Sequence, residues 1–184
     1  EHSINNEIIS GGETAGIPYA SFIAQKLKKP MIYIRKKPKG FGSNKQIEGS
    51  FQKKQSTLLV EDLATDGGSK ISFVNALRDA GAEVEHTFVI FYYDIFRNIP
   101  EKLKANGIKL HYLTTWWDVL AECRSMEEFS KKTLKNVEDF FDKVEGKPYE
   151  LTTKKILFKE GSEDYEGRSG FFCSELVAAA YEEC

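Results

Sequence analysis

The segment from Leu58 to Ser69 reads LLVEDLATDGGS, and it decides the fold that the rest of the sequence predicts. An apolar strand ends in two adjacent carboxylates, Glu61 and Asp62, and leads directly into a polar turn that contains two glycines. A helix is predicted to follow at residues 68–80, where apolar side chains recur at helical spacing. Strand, polar turn and helix in this order are typical of open α/β sheets, which bind ligands at the carboxyl ends of their strands.

The chemistry of this turn fits a phosphorylated sugar. Carboxylates at the end of a strand can accept hydrogen bonds from ribose hydroxyls. The turn adds hydroxyl groups, backbone N–H groups and the positive end of the following helix, all of which suit a phosphate. The simpler alternative is an ordinary strand-to-helix connection with solvated acids, because Asp-Gly-Gly also occurs in plain turns. The residues expected to bind the phosphate are Thr65, Asp66, Gly67, Gly68 and Ser69.

The alternation of strands and helices along the chain predicts the fold class. Strands are predicted at residues 7–10, 31–35, 58–61, 84–93 and 109–114, and helices at residues 15–28, 68–80, 100–106, 116–122 and 126–141. Such alternation gives right-handed βαβ units, so we predict an α/β fold with a mostly parallel central sheet flanked by helices. Residues 36–49 follow neither period, and we expect them to form a mobile, cationic lid.

The composition of the chain argues against a membrane protein, a secreted disulfide-rich protein and a zinc protein. The chain has 184 residues, of which 41% are apolar and 29% charged, as in ordinary globular domains. Its apolar runs are shorter than the roughly 20 residues that a membrane-spanning helix needs, and no secretory leader is indicated. The three cysteines are too few for a disulfide framework, and with the three histidines they form no zinc-binding spacing. We therefore expect a cytoplasmic protein without a membrane partner.

Basic residues are concentrated in one part of the sequence. Residues 26–54 contain ten lysines and arginines against one acid, Glu48, although the net charge of the whole chain is −2. This excess predicts an anionic partner. Aromatic side chains for base stacking are sparse there, so a small polyphosphate is preferred to nucleic acid. A solvated, lysine-rich surface remains the alternative for Lys26, Lys28 and Lys29.

Three pieces of the sequence resemble one known family. They read GGETAGIP at residues 11–18, RKKPKGFG at residues 35–42 and EDLATDGGS at residues 61–69. In this order and at these separations they resemble the orotate phosphoribosyltransferases, which are type I phosphoribosyltransferases that use 5-phosphoribosyl diphosphate (PRPP). VIFYYD at residues 89–94 and TWWD at residues 115–118 continue the resemblance, which covers roughly residues 7–141.

The resemblance implies transfer of a phosphoribosyl group from PRPP to orotate, giving orotidine 5′-monophosphate and pyrophosphate. It also implies Mg²⁺ carried by PRPP rather than by a dedicated set of protein ligands, and a homodimer whose lid works across the two subunits. The catalytic residues implied are Lys36, Lys39 and Asp62. The PRPP-binding residues implied are Glu13, Thr14, Arg35, Lys36, Lys39, Glu61, Asp62, Thr65, Asp66, Gly67, Gly68 and Ser69.

The sequence departs from the family pattern at two places. Phe41 stands where many family members have a histidine, and Asp66 places an acid inside the predicted phosphate turn. Family members also have additional N-terminal residues that line the orotate pocket, so residues 1–141 are predicted to form an N-terminally incomplete phosphoribosyltransferase-like domain. A module that binds PRPP or nucleotide without turnover is therefore an alternative function.

Residues 142–184 are predicted to be a separate C-terminal extension. GKPY at residues 146–149 and FCSELV at residues 172–177 resemble the C-terminal piece of permuted papain-like (NlpC/P60-type) cysteine hydrolases. Cys173 would then be a candidate nucleophile, because the N-terminus of a helix lowers the pKa of a thiol. No histidine lies in a segment like the hairpin that supplies one in those enzymes. A buried, inert thiol is the preferred interpretation, and a papain-like hydrolase remains the other.

Overall fold

The structure is a computed structural model of the chain, and it describes residues 5–38, 46–126 and 129–144. Within these residues six strands form one sheet: β1 (Ile8–Gly12), β2 (Met31–Ile34), β3 (Ile47–Glu48), β4 (Ser56–Ala64), β5 (Glu83–Tyr92) and β6 (Lys109–Thr115). The described helices are α1 (Gly16–Leu27), α2 (Gly68–Asp79), α3 (Ile99–Ala105), α4 (Trp116–Ser125) and α5 (Lys131–Val144).

The order of the strands creates a place for a ligand. The sheet runs β3-β2-β1-β4-β5-β6, and all neighbours are parallel except β2 and β3. The predicted α/β class with a mostly parallel sheet is confirmed. From β1 the chain builds the sheet outward in one direction through β2, and then returns to build it in the other direction from β4. Open parallel sheets bind ligands beyond the carboxyl ends of the strands at such a reversal, which lies here between β1 and β4.

Strand β4 lies at the centre of the sheet and carries much of its core. Leu58, Leu59 and Val60 are buried, as expected for a parallel strand that is covered on both faces. Ala20 and Ala24 of α1 pack on Leu58 and Val60 together with Ile9 and neighbouring apolar side chains. Small residues on this face of α1 allow the helix to approach the sheet closely.

Helix α2 connects the end of β4 to the start of β5. Its buried side chains include Phe73, Val74 and Leu77, which follow helical spacing on one face. At its C-terminal end the Arg78 guanidinium donates hydrogen bonds to the carbonyl oxygens of Val84, Asn106 and Gly107, at 2.6 to 3.0 Å. Apolar packing and these hydrogen bonds fix the direction of α2, and therefore also the position of its N-terminus beside β4.

The described residues divide into two compact units. One contains the sheet with α1, α2 and α3, and the other contains residues 94–97 with α4 and α5. In the second unit the Trp117 indole N–H donates to the Asp94 carbonyl oxygen at 2.8 Å, and the ring of Phe141 contacts those of Trp116 and Trp117. The predicted domain boundary after residue 141 stays a prediction, because residues 145–184 lie outside the described part of the chain.

Several predicted boundaries differ from the structure, and two of these differences have a clear physical reason. The strand predicted at residues 58–61 extends over Ser56–Ala64, because its pairing with β5 continues as far as Ala64 and Tyr92. Glu61 and Asp62 therefore lie inside β4 rather than at its end. The last described helix begins at Lys131 rather than at residue 126, and the Ser130 hydroxyl accepts the Thr133 N–H at 3.0 Å, as an N-cap does.

The segment predicted to form a lid is only partly described. Ile47 and Glu48 form β3, which pairs antiparallel with β2, so the end of this segment is a strand and not a loop. Residues 39–45, which include Lys39 and Phe41, lie outside the described residues. In the part of the chain that the structure describes, no helix has the length and apolar character required to cross a lipid bilayer.

Leu59→Ala should destabilise the fold strongly, because Leu59 is fully buried at the centre of the sheet. Loss of its side chain leaves a cavity, and we expect the free energy of unfolding to fall by about 2–5 kcal/mol, measured by urea denaturation. Leu113→Ala is the matched control, because Leu113 on β6 is 67% exposed. Equal destabilisation by the two substitutions would contradict the central position of β4.

Candidate active site

The carboxyl ends of β1, β2 and β4 bring together the three segments that the sequence singled out. Glu13 follows β1, and its Oε2 accepts the backbone N–H of Lys36, which follows β2, at 2.8 Å. Gly12 at the end of β1 lies against the Glu61 side chain of β4. Residues 65–67 then lead from β4 into α2. The predicted acids, cations and polar turn therefore meet at the reversal of strand order.

Glu61 is buried at the centre of this site. Its carboxylate Oε2 lies 2.8 Å from Nζ of Lys70, and the two residues are only 5% and 4% exposed. Burial raises the pKa of the Glu61 carboxyl above its ordinary value, and the ammonium group of Lys70 acts in the opposite direction. Asp62 also raises this pKa, whereas Lys36 lowers it, so these charges lie within electrostatic reach of Glu61.

The Glu61 side chain also packs against the backbone that follows β1. A Cβ atom built on Gly12 would lie 2.2 Å from Glu61 Oε1, and one built on Gly16 would lie 2.7 Å from the same oxygen. The absence of side chains at these glycines therefore makes room for Glu61. At Gly12 and Gly16 the close neighbour is thus the protein itself.

The two acids of the motif have different surroundings. Glu61 was predicted to bind ribose hydroxyls, but its Oε2 is engaged by Lys70 and its Oε1 faces Gly12. Asp62 is half-buried, and among the described residues no hydrogen bond or ion pair engages its carboxylate. Successive side chains of a strand point to opposite faces, so the two acids are not equivalent.

Arg35, one of the predicted pyrophosphate-binding cations, is held by its neighbours. Its Nε lies 3.1 Å from Glu48 Oε1, and its Nη1 lies 3.7 Å from Glu13 Oε1. Its Nη2 donates to the Tyr33 hydroxyl at 2.9 Å. The Lys36 side chain is exposed beside it. Contacts within the protein thus orient the Arg35 guanidinium, while the Lys36 ammonium group is exposed to solvent.

Glu13 and Thr14 lie on the turn between β1 and α1. The peptide bond between them is cis, Glu13 is half-buried, and Thr14 is exposed. The Glu13 carboxylate contacts both Arg35 and the backbone of Lys36. This acid therefore links the turn after β1 to the start of the predicted lid.

The carboxylate of Asp66 lies inside the predicted phosphate turn and bonds to its backbone. Asp66 Oδ1 accepts the backbone N–H of Gly68 at 3.1 Å, and Oδ2 lies 3.7 Å from Nζ of Lys102 on α3. The Lys102 ammonium also donates to the Asp66 carbonyl oxygen at 2.8 Å. Gly67 adopts a left-handed conformation, with φ of 71°, and Ser69 is exposed on the first turn of α2. An incoming phosphate would compete with Asp66 for the Gly68 N–H.

Two cations of the site were missed by the sequence reasoning. Lys70 lies on the first turn of α2, where the helix dipole disfavours a positive charge. A lysine at this position indicates that a carboxylate lies nearby to compensate. Lys102 lies on a different helix, 36 residues after Asp66, and no local pattern indicates their contact.

Known proteins that resemble the chain are orotate phosphoribosyltransferases. No protein-family model matches the chain. The orotate phosphoribosyltransferase of Ruegeria sp. (strain TM1040) is 58% identical over 132 residues, which are 72% of this chain and 58% of that protein. The enzyme of the same name from Dinoroseobacter shibae is 54% identical over 134 residues, or 73% of this chain and 59% of that protein. The chain thus spans somewhat less than two thirds of these relatives.

Solved structures share the same fold. The orotate phosphoribosyltransferase of Aeropyrum pernix matches with a TM-score of 0.59 and 29% identity, over 66% of this chain and 67% of that chain. The orotate phosphoribosyltransferase of Mycobacterium tuberculosis, solved in complex with PRPP, matches with a TM-score of 0.53 and 25% identity, over 64% of this chain and 67% of that chain. The UMP synthase of Leishmania donovani shares the fold with a TM-score of 0.65 and 24% identity, over 76% of this chain and 30% of that chain.

Two predicted site residues lie outside the described part of the chain. Lys39 belongs to residues 39–45, and Cys173 belongs to residues 145–184. The role of Lys39 and the papain-like interpretation of Cys173 therefore stay predictions. None of the similar proteins named above is a cysteine hydrolase.

Gly12→Ala should destabilise the site, because the new Cβ would lie 2.2 Å from Glu61 Oε1 and push the carboxylate out of its position. We expect the free energy of unfolding to fall by about 1–3 kcal/mol in urea denaturation, as for other overpacked buried sites. Gly68→Ala is the control, since its Cβ would meet only the end of the half-buried Asp66 side chain, at 2.9 Å, and no atom of Glu61. A Gly12→Ala variant as stable as the Gly68→Ala variant would contradict the close packing of Glu61.

Proposed function

We propose that this chain is part of an orotate phosphoribosyltransferase, and that it transfers the 5-phosphoribosyl group of PRPP to orotate. The observation that carries the proposal is the meeting of Asp62, the polar turn at residues 65–69 and the cations Arg35 and Lys36 at one edge of the sheet. The identity of 58% to an orotate phosphoribosyltransferase over 132 residues supports the same reaction. A PRPP complex among the similar structures supports PRPP as the donor.

The reaction explains why these residue types are needed. The bond between C1 of the ribose and the pyrophosphate oxygen breaks, and the electron pair leaves with pyrophosphate. A ring nitrogen of orotate forms the new bond to C1 and gives up its proton to solvent. Positive charge develops on the sugar and negative charge on the leaving group, so placed charges supply most of the catalysis. In this proposal Lys36 and Lys39 neutralise pyrophosphate, and Asp62 accepts hydrogen bonds from the ribose diol.

The remaining predicted residues hold the two phosphate ends. Arg35 and the turn at Glu13 and Thr14 lie next to Lys36 and are proposed to face pyrophosphate. Ser69 and the first turn of α2 are proposed to face the 5′-phosphate, with the Gly68 N–H released from Asp66 on binding. Lys102 is the nearest described cation to Asp66 and would balance that phosphate.

Magnesium fits the donors that the site offers. The described residues contain no cluster of three or more His, Cys, Asp or Glu side chains able to hold a metal. Mg²⁺ commonly binds through one or two carboxylates together with substrate phosphates, and Asp62 is a free hard oxygen ligand of that kind. When bound, the ion would neutralise charge on the pyrophosphate of PRPP.

The proposal is tested by pyrophosphate release from PRPP and orotate in the presence of Mg²⁺, together with calorimetry for each ligand. We expect orotate-dependent pyrophosphate release. Binding of PRPP without release would instead support the module that binds nucleotide without turnover. Failure to bind either ligand would overturn the proposal, and labelling of Cys173 by an electrophilic substrate analogue would then favour the hydrolase.

Asp62→Asn should weaken PRPP binding while leaving stability almost unchanged, because no hydrogen bond or ion pair among the described residues engages this half-buried acid. We expect the dissociation constant for PRPP to rise about 10-fold or more, since the ribose hydrogen bonds to a charged acceptor become weaker bonds to a neutral amide. Calorimetry and thermal denaturation measure the two effects separately. Asp79→Asn, at the exposed C-terminal end of α2, is the control and should change neither quantity.

We also propose a homodimer, as the family resemblance implies, and a cytoplasmic location, as the composition implies. Large apolar side chains exposed on α1, Phe22 at 69% and Leu27 at 52%, are candidates for such a contact. Sedimentation velocity should show a dimer, and Phe22→Asp should shift the population toward monomer. A wild-type chain that sediments only as a monomer at high concentration would contradict the homodimer.

A further inference from the structure

We propose that Lys102 of α3 is a positioning residue for the 5′-phosphate of PRPP, and that it acts through Asp66 rather than by touching the ligand. In the structure the Asp66 carboxylate lies in the turn that is proposed to bind this phosphate. When the phosphate enters, the carboxylate leaves the backbone of the turn and pairs with the Lys102 ammonium group. The inference rests on the proposed function of the site and adds a residue that controls access to its phosphate turn.

The first argument is that Asp66 occupies a position that an anionic ligand needs. Its Oδ1 accepts the backbone N–H of Gly68 at 3.1 Å, and Gly68 is the first residue of α2. The N-terminus of a helix favours a negative charge, so an acid side chain is stable there while no phosphate is present. A phosphate group binds to N–H groups of the same kind. The carboxylate and the phosphate therefore compete for this donor.

The second argument is that α3 places Lys102 directly beside the turn. The Lys102 ammonium group donates to the Asp66 carbonyl oxygen at 2.8 Å, and its Nζ lies 3.7 Å from Asp66 Oδ2. The first contact holds the ammonium group at the backbone of the turn. The second is longer than a hydrogen bond, so a small rotation of the carboxylate would bring the two charges into full contact. The two side chains are 40% and 38% exposed, which leaves both of them space to move.

The third argument is that other contacts fix the position of α3. A Cβ atom built on Gly67 would lie 3.2 Å from Cδ2 of the buried Leu103, so the turn packs on this helix. At the opposite end of α2, the Arg78 guanidinium donates to the carbonyl oxygens of Asn106 and Gly107, at 2.7 and 2.9 Å. α3 is thus attached near both ends of α2. A movement of the acid side chain in the turn therefore leaves the ammonium group on α3 in place.

The fourth argument concerns charge. A phosphate monoester carries roughly 1.5–2 negative charges at neutral pH, and it would lie beside the Asp66 carboxylate if that group stayed in place. Like charges repel strongly in a half-buried site, because the effective dielectric constant there is far below that of water. Among the described residues Lys102 is the cation that pairs with Asp66. This pairing neutralises the carboxylate when the phosphate displaces it, and it therefore favours binding.

The experiment begins with Lys102→Met, which keeps most of the length of the side chain and removes its charge. Binding of ribose 5-phosphate, and of PRPP with Mg²⁺, is measured by calorimetry. We expect both affinities to fall by about 10-fold or more, because the Asp66 carboxylate is then an unpaired anion beside the phosphate. Lys104→Met is the matched control, since it removes the same charge from an exposed position on the same helix. It should change neither affinity.

The double variant Lys102→Met with Asp66→Asn is the decisive comparison. Without a charge at position 66 the ammonium group has nothing to neutralise, so we expect both affinities to return to within about threefold of wild type. Asp66→Asn alone should bind the two ligands at least as tightly as wild type does. If Lys102 instead touches the phosphate directly, the double variant will bind as weakly as Lys102→Met. A merely structural defect caused by loss of the lysine would not be rescued either.

Each outcome decides between the two levels of inference. A wild-type chain that binds neither ligand would overturn the proposed function, and the role of Lys102 with it. Wild-type binding with an unchanged Lys102→Met variant would overturn the role of Lys102 alone, as would an Asp66→Asn variant that binds about 10-fold more weakly. Should Lys102→Met fail to fold, the double variant carries the test. A double variant that fails to fold, or that folds without recovering the two affinities, would count against the positioning role.

Discussion

The buried ion pair between Lys70 and Glu61 is the interaction on which the geometry of the site depends. Such a pair is not a large net source of stability, because the cost of removing two charges from water offsets most of their attraction. Its effect is positional, since either charge left alone in the interior would cost about 3–5 kcal/mol. The pair can form only while three parts of the chain keep their positions. They are the backbone of β4, the first turn of α2, and the residues Gly12 and Gly16 that pack on Glu61.

The location of the site follows from the order of the strands. β1 and β4 are neighbours in the sheet although α1, β2 and β3 lie between them in sequence. The connections that leave these two strands depart toward different segments, and a crevice opens at their carboxyl ends. Gly12 at the end of β1 and Gly16 at the start of α1 leave room there for the Glu61 side chain, and Asp62 is the acid that no hydrogen bond or ion pair engages among the described residues.

The charges of the candidate site are largely paired with one another. Arg35 is held by Glu48 and Glu13, and Asp66 takes the Gly68 N–H that a phosphate could use. Half-buried pairs of this kind orient side chains at little energetic cost, and a ligand with several negative charges can exchange them for its own contacts. For the proposed transferase, binding of PRPP would thus rearrange existing ion pairs, rather than order side chains that were previously unrestrained.

The sequence by itself determined the fold class, the order of the elements and the segments that make up the candidate site. These properties are encoded locally: apolar periodicity separates strands from helices, and the run from Glu61 to Ser69 carries its carboxylates, glycines and hydroxyls in one contiguous stretch. The end of β4 was misplaced, because pairing with β5 extends the strand through two acids that have low strand propensity.

Only the tertiary structure distinguished the two members of the acidic pair from each other. The two carboxylates are adjacent in sequence and chemically similar, and no pattern in the sequence distinguishes them. Glu61 becomes internal because α2 folds back to place Lys70 beside it and because Gly12 and Gly16 come from a different strand connection to pack on its other side. Contacts between segments that are distant in the chain depend on how the sheet is assembled, and that information does not exist in any single stretch of residues.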